Sequence, residues 1–270
     1  MQEQKLDEIV LRKTGMEIGP RPELKPWREF LAHMQNAKDT VRIGLVGKYV
    51  ELQDAYKSIN EALFQAATYN NRKLDLQYIH SEKLTEGNVD EKLSSMDGLV
   101  IAPGFGQRGV EGKFVALKYA REHDVPTFGI CLGMQCMVIE YARDVLGYKD
   151  ANSTEMDVNT PHNVIDLMES QKCISNMGGT MRLGEYDCIL QEGSKAEQAY
   201  GKTHIKERHR HRFEFNGDYR SEFEAAGMKC VGENPDTRLV EVVEVPSLTW
   251  YIGVQYPVSY THLTLPTKRI

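Results

Sequence analysis

Residues 127–135, Thr127-Phe-Gly-Ile-Cys-Leu-Gly-Met-Gln135, decide the fold. An apolar strand runs into a Gly-x-Cys-x-Gly turn, and helical spacing begins directly after it. Such a turn holds its central side chain in a strained backbone conformation, and the flanking glycines relieve the crowding around it. The side chain then stands at the carboxyl edge of a sheet, where α/β folds place their sites. Cys131 is therefore a candidate nucleophile; the alternative is a buried structural cysteine before an ordinary turn.

Two further features bear on this choice. The amides and the positive dipole end of the following helix point at position 131, where they favour a thiolate and can hold an oxyanion. A glycine-rich stretch, Pro103-Gly-Phe-Gly-Gln-Arg-Gly109, follows the preceding predicted strand. Its backbone amides would complete an oxyanion hole if the two strands are neighbours; the alternative is a plain turn at a strand end.

Strands and helices alternate around this stretch. Short apolar runs predict strands at 41–46, 74–79, 98–102 and 125–130, and helical spacing predicts helices at 55–69, 112–122 and 133–146. This alternation predicts an α/β fold with right-handed crossovers and a mostly parallel central sheet flanked by helices. Beyond about residue 150, strands at 180–190, 228–232, 239–245 and 249–256 predict a mixed or antiparallel extension. Upstream, helices at 4–13 and 27–35 flank a linker rich in glycine and proline.

Composition excludes several classes of protein. The net charge is −6, which argues against nucleic-acid binding despite the alternating basic residues of 207–212. No run approaches the roughly 20 apolar residues that cross a bilayer. Met1–Glu8 is charged, unlike a signal peptide. The five cysteines are scattered, without metal-ligand pairing or a disulfide framework, which favours the cytoplasm and predicts no metal site.

Six motifs follow one another along the chain. They are Gly47-Lys-Tyr49 with Asp54-Ala-Tyr-Lys-Ser58, Ala102-Pro-Gly-Phe-Gly-Gln-Arg-Gly-Val-Glu-Gly-Lys113, Gly129-Ile-Cys-Leu-Gly-Met-Gln135, Gly178-Gly-Thr-Met-Arg-Leu-Gly184, Glu207-Arg-His-Arg-His-Arg-Phe-Glu-Phe-Asn216 and Gly253-Val-Gln-Tyr256. In this order they resemble the glutamine amidotransferase half of CTP synthases, and the resemblance covers about residues 3 to 256. Gly-Ile-Cys-Leu-Gly is shared by class I amidotransferases, whereas the segments at 178–184 and 207–212 single out CTP synthases.

The resemblance implies a flavodoxin-like fold and a glutaminase site. Cys131 matches the nucleophile that forms a γ-glutamyl thioester, and Gly104 and the Leu132 amide match the oxyanion hole. An α-ammonium is bound well by a carboxylate, and an α-carboxylate by a guanidinium. The positions that match glutamine-binding residues are Phe105, Gln135, Glu155, Arg212 and Phe213. Those that match the region thought to sense the activator GTP are Lys48, Thr180 and Arg182; an ordinary strand with a surface arginine is the alternative for the last two.

The resemblance also implies a larger enzyme. Residues 1–40 resemble the end of a synthase domain and the interdomain linker, and 41–256 resemble the amidotransferase domain. The whole enzyme would pass ammonia to its synthase domain, which aminates UTP to CTP with ATP and Mg²⁺. It would assemble as a homotetramer. The amidotransferase domain itself needs no cofactor, and the chain has no Walker-type phosphate loop.

The sequence departs from the family after Tyr256. The family continues His-Pro-Glu, but this chain has Pro257, Val258 and Ser259, so the catalytic histidine and its orienting glutamate are missing. Residues 257–270 resemble translated sequencing-adaptor sequence, and we expect a non-native tail that does not dock on the sheet. His262, on that tail, is a poor substitute base, and His209 and His211 fit the arginine-rich segment better than a catalytic pair. We therefore expect this chain to turn over little glutamine.

Three functional hypotheses follow. The first is the glutaminase domain of a CTP synthase. The second is another class I amidotransferase or a γ-glutamyl hydrolase, against which the segments at 178–184 and 207–216 argue. The third is a non-catalytic module for interaction or GTP sensing, which gains weight if residues 257–270 are genuine.

Overall fold

The computed structural model describes residues 4–20, 23–167 and 181–257. Within them, twelve strands form a large nine-stranded sheet and a small three-stranded sheet. The strands are β1 Asp39–Gly47, β2 Arg72–His80, β3 Gly98–Ile101, β4 Thr127–Ile130, β5 Asn152–Ser153, β6 Asn163–Leu167, β7 Arg182–Leu190, β8 His204–His211, β9 Phe213–Phe215, β10 Lys229–Glu233, β11 Val240–Glu244 and β12 Tyr251–Val254.

The helices of the described part are short, and none of them is long and apolar enough to span a membrane. They are α1 Leu6–Lys13, α2 Lys25–Asn36, α3 Lys57–Tyr69, α4 Val89–Leu93, α5 Val110–Glu122, α6 Leu132–Asp144, α7 Lys195–Tyr200 and α8 Arg220–Ala226. Short 3-10 turns at Gln53–Tyr56, Ser81–Lys83 and Gly217–Tyr219 complete the set.

The parallel half of the large sheet has the order β2-β1-β3-β4-β12. Successive residues of a strand face opposite sides of a sheet. Val46 and Ile101 pack against α5 and α6 on one face, whereas Leu45 and Val100 pack with Ile59 of α3 on the other. The predicted α/β fold, a mostly parallel sheet flanked by helices, is confirmed.

The antiparallel half continues as β11-β10-β7-β8. The predicted mixed or antiparallel extension is therefore present, and the strand predicted at 249–256 is the one that joins it to the parallel strands. β12 pairs in parallel with β4 and antiparallel with β11, so it ends the parallel half and joins the two parts of the sheet. The small sheet, β5-β6-β9, was not predicted.

The junction of β4 and α6 depends on two glycines. Cys131 lies between them with φ 54° and ψ −107°, a backbone conformation that residues other than glycine rarely adopt. A Cβ on Gly133 would lie 2.2 Å from the carbonyl oxygen of Ile101, so α6 sits directly on β3. A Cβ on Gly129 would lie 2.3 Å from Sδ of Met137. The strained turn is therefore held by the close approach of a helix to two neighbouring strands.

We expect Gly133→Ala to destabilise the protein by about 3 kcal/mol, at the upper end of overpacking costs, because backbone must move away from the new methyl group. Urea unfolding measures the loss. Gly217→Ala is the matched control: nothing lies within 4 Å of its added Cβ, so its change should stay within about 0.5 kcal/mol. Equal unfolding midpoints for the two variants would contradict this account of the turn.

Candidate functional site

A cavity of about 260 Å³ lies where β3 and β4 end. It brings together seven of the predicted site residues, which come from segments far apart in the chain. These seven are Gly104, Phe105, Cys131, Gln135, Glu155, Arg212 and Phe213. The cavity also has three lining residues that the sequence analysis did not assign to a site, Met181, Arg210 and His211. Its volume lies just below the range of drug-sized pockets, which suits a ligand the size of an amino acid.

The Cys131 thiol is buried, with 4% of the residue exposed. Burial raises its pKa to about 12; the Leu132 amide and the Lys113 ammonium lower it, but Glu214 and Glu155 raise it further. The turn was expected to favour the thiolate, and the Leu132 amide does so. Desolvation nevertheless outweighs it, so the resting group is a thiol that needs a base to become a nucleophile.

Lys113, on α5, is a cation in the interior that the sequence analysis did not single out. It is 1% exposed, and its Nζ donates a 2.6 Å hydrogen bond to the carbonyl of Ala102. Burial lowers its pKa, against the opposing effects of Cys136 and Cys131. Ala102 directly precedes the glycine-rich loop, so Lys113 fixes the start of that loop and places positive charge near the thiol. The available signal in the sequence was its place at the end of the family motif 102–113.

The glycine-rich loop 103–109 is held from both sides. Lys48, 7% exposed, donates a hydrogen bond from Nζ to the carbonyl of Phe105. On the other side, the Gly106 amide donates a 3.0 Å hydrogen bond to Oε1 of Glu155. A Cβ on Gly104 would lie 3.5 Å from Cδ2 of Leu132, so the two residues predicted for the oxyanion hole are adjacent.

The opposite wall of the cavity is tied to α6. Nε2 of Gln135 donates a 2.9 Å hydrogen bond to the carbonyl of Phe213 and a longer one, 3.3 Å, to Oε1 of Gln255. Nε2 of Gln255 lies 3.9 Å from Sγ of Cys131. Gln255, fully buried, was part of a family motif in the sequence but was not assigned to the site.

The end of β12 passes directly beside Cys131. The Cys131 amide donates a 2.7 Å hydrogen bond to the carbonyl of Val254, and the chain then continues to Pro257, which is half-buried. A proline side chain cannot accept a proton. Ser259 and His262 lie outside the described residues.

His211 is the one imidazole among the cavity's lining residues. Its Nε2 lies 2.7 Å from Nδ1 of His209, and burial lowers its pKa to about 3, helped by Arg182. Burial and His211 likewise lower the pKa of His209 to about 2. Both rings are therefore uncharged at neutral pH, and they are hydrogen-bonded to each other.

Of the three positions expected to sense GTP, the structure describes Lys48 and Arg182. Thr180 lies outside the described residues. Arg182 is 5% exposed, and its Nη2 lies 2.7 Å from Oε1 of Glu241. An effector could reach that guanidinium only if the ion pair opened. Lys48 lies against the glycine-rich loop, as described above.

Replacing Lys113 should reduce the reactivity of Cys131. Without its positive charge the thiolate loses an attraction, so Lys113→Met should slow alkylation of Cys131 by iodoacetamide about threefold or more at pH 8–9. Peptide mapping by mass spectrometry separates Cys131 from the other cysteines. The control is Lys118→Met on the same helix, where the side chain is 42% exposed. A Lys113→Met protein that reacts as fast as the control would refute the electrostatic role.

Comparisons with known proteins agree with this geometry. Residues 51–257 match the model of the family "Glutamine amidotransferase class-I". The chain is 64% identical over 265 residues to CTP synthase from Bacteroides fragilis, covering 98% of this chain and 50% of that protein. It is 65% identical over 260 residues to CTP synthase from Porphyromonas gingivalis, covering 96% of this chain and 48% of that protein. The chain thus spans about half the length of these relatives.

A solved structure gives the same answer. The glutaminase domain of Trypanosoma brucei CTPS, with bound acivicin, superposes with a TM-score of 0.77 at 36% identity, covering 85% of this chain and 91% of that one. The match extends over nearly the whole of that domain. The chain therefore belongs to the class I glutamine amidotransferases, and within them to the glutaminase domains of CTP synthases.

Proposed function

We propose that Cys131 carries out glutamine hydrolysis in the intact protein of which this chain is a part. Sγ attacks the γ-carboxamide carbon of glutamine, the C–N bond breaks, and the nitrogen leaves as ammonia once it is protonated. Water then cleaves the γ-glutamyl thioester to give glutamate and the free thiol. The observation that carries the proposal is one cavity with a nucleophile on a strained turn, adjacent backbone amides and two opposite charges.

Each wall of the cavity has a role in this reaction. The amides of Gly104 and Leu132 would hold the oxyanion that forms on the γ-carbonyl oxygen. At the other end, the carboxylate of Glu155 would bind the α-ammonium group, and the guanidinium of Arg212 the α-carboxylate. Phe105, Gln135 and Phe213 would complete the walls, and Gln135 fixes the Phe213 carbonyl by its hydrogen bond.

The proton balance limits this particular chain. A thiol whose pKa is raised to about 12 needs a base, and the leaving nitrogen needs an acid. Position 257 would supply both through a histidine, and position 259 would orient it through a glutamate, but here they are Pro257 and Ser259. The loss of one member of such a unit costs about 10⁴-fold or more in kcat. We propose that this chain binds glutamine but hydrolyses it very slowly.

The proposal extends to the whole enzyme, a ligase. Ammonia would pass to a synthase domain that aminates UTP to CTP with ATP and Mg²⁺, both bound outside this chain, in a cytoplasmic homotetramer. GTP would activate it through the region of Lys48, Thr180 and Arg182. Residues 1–40 would be the end of the synthase domain and the linker, 41–256 the amidotransferase domain and 257–270 a non-native tail. In support, Leu6, Ile9 and Val10 of α1 are 44–51% exposed, as expected for a helix whose packing partner is elsewhere.

A non-catalytic role is the second candidate. It is favoured by Pro257 and by the neutral, mutually engaged imidazoles of His209 and His211, which leave the thiol without an available imidazole base among the described residues of the cavity. In that case the cavity would bind glutamine, and the domain would sense or present it rather than consume it.

Restoring the missing groups should restore hydrolysis. The variant Pro257→His, Val258→Pro, Ser259→Glu should release glutamate about 10³-fold or more faster than the chain as it stands. A coupled glutamate dehydrogenase assay measures the release, and Cys131→Ala in the restored background sets the blank. Rapid hydrolysis by the unaltered chain would refute the inactivity. Glutamine binding without hydrolysis in the restored variant would favour the second candidate.

A further inference from the structure

Arg182 links the two sheets of the protein. It begins β7, and its Nη2 lies 2.7 Å from Oε1 of Glu241 on β11, in the large sheet. Its Nη1 lies 3.5 Å from Oε1 of Glu214 on β9, in the small sheet. The guanidinium also lies over the ring of Tyr186, 4.3 Å from its centroid. One buried cation therefore contacts a carboxylate from each sheet.

The two sheets meet at a residue of the cavity. β8 ends at His211 and belongs to the large sheet, whereas β9 begins at Phe213 and belongs to the small one. Arg212 is the single residue between them, and it lines the cavity with Cys131. Arg182 is the register partner of His211 on β8. The bridge thus stands beside the point where the chain crosses from one sheet to the other.

A second line of contacts runs parallel to the first. Oε2 of Glu241 lies 3.3 Å from Nε2 of His209, whose Nδ1 lies 2.7 Å from Nε2 of His211. Nδ1 of His211 in turn lies 3.3 Å from the Phe213 carbonyl and 3.4 Å from Oε1 of Glu214. Both lines start at Glu241 and end on the segment 211–214, which carries Arg212 and Phe213.

Burying these side chains costs free energy of desolvation. We call them the Arg182 cluster: Arg182, His209, His211, Glu214 and Glu241. None of them is more than 5% exposed. Buried ion pairs of this kind add little stability compared with apolar residues of the same shape, but they can fix one arrangement among several. Nη2 of Arg182 and Oε1 of Glu241 are only 2.7 Å apart, but their geometry is not that of a straight hydrogen bond. The cluster is therefore better explained by its fixing the position of neighbouring residues than by a contribution to the free energy of unfolding.

We infer that Arg182 is a positioning residue that fixes Arg212 and Phe213 for the α-carboxylate end of glutamine. The inference rests on the proposed function, and it gives the buried Arg182 a role that needs no direct contact with a ligand. Loss of the bridge frees the segment between β8 and β9. Arg212 then presents its guanidinium in several orientations, and affinity for the carboxylate falls while the rest of the cavity is unchanged.

Equilibrium dialysis with radiolabelled ligands tests this on the full chain. The two probes are L-glutamine and 4-aminobutanamide, which lacks the α-carboxylate. Arg182→Met should weaken L-glutamine binding about tenfold, as expected for the loss of a charge-assisted contact, and change 4-aminobutanamide binding less than twofold. Arg182→Lys should recover part of the loss. Arg212→Met, which removes the carboxylate contact itself, gives the size of the full effect.

The possible outcomes distinguish failure of the positioning role of Arg182 from failure of the proposed glutamine-binding function. If the unaltered chain binds no glutamine, the proposed function fails and the inference with it. If Arg182→Met binds glutamine as the unaltered chain does, or loses both probes equally, the positioning role is refuted and the function stands. Thermal denaturation checks that each variant is folded. If Arg182→Met is unfolded, the double variant Arg182→Met, Glu241→Gln is tested instead, because it also removes the carboxylate that Arg182→Met leaves unpaired. Selective loss of L-glutamine in either variant supports the inference, and unfolding of both shows a purely structural role.

Discussion

The site depends on one close approach, that of α6 to β3 at Gly133. Because this glycine has no side chain, the helix can start directly against the carbonyl of Ile101, and the chain must turn sharply between β4 and α6. The turn forces Cys131 into a strained conformation with positive φ and exposes the first amides of the helix to the sulfur. β3 and β12 flank β4 in the sheet, so the loop after β3 and the segment after β12 necessarily reach the thiol from its two sides. One backbone contact therefore organises Cys131, the glycine-rich loop 103–109 and the segment that follows β12.

The environment of the thiol explains why the base matters so much. A helix N-terminus and a buried lysine both favour the thiolate, yet burial outweighs them and raises the pKa of Cys131 to about 12. A thiol exposed to water would retain some nucleophilic anion at neutral pH, but a buried one retains almost none. A site of this kind stays unreactive until a base takes the proton. If position 257 supplies the base in the intact protein, as we propose, its loss is more damaging here than it would be around a solvated cysteine.

Much of this architecture is predictable from local sequence, and the exceptions have a common cause. The strands β1 to β4 and the helices α5 and α6 bury mostly apolar residues, so their periodicity is visible without any knowledge of their neighbours. β8 is different, because its inward residues include Glu207, His209 and His211, which are polar. They are buried only because partners from distant strands meet them. The pairing of β12 with β4 is likewise a fact about the assembled sheet, which a single segment does not contain.

The arginines of β8 show how one strand can serve two environments. Residues 205, 207, 209 and 211 face inward, whereas 206, 208 and 210 face outward and are exposed. Arg212 continues the outward series, but the chain leaves the large sheet at that residue and enters the small one. Arg212 is half-buried there and lines the cavity of Cys131, together with the exposed Arg210 that precedes the crossing. Contacts that fix the point where the chain crosses between the sheets therefore also fix Arg212. The Arg182 cluster, which has one carboxylate on each sheet, provides such contacts.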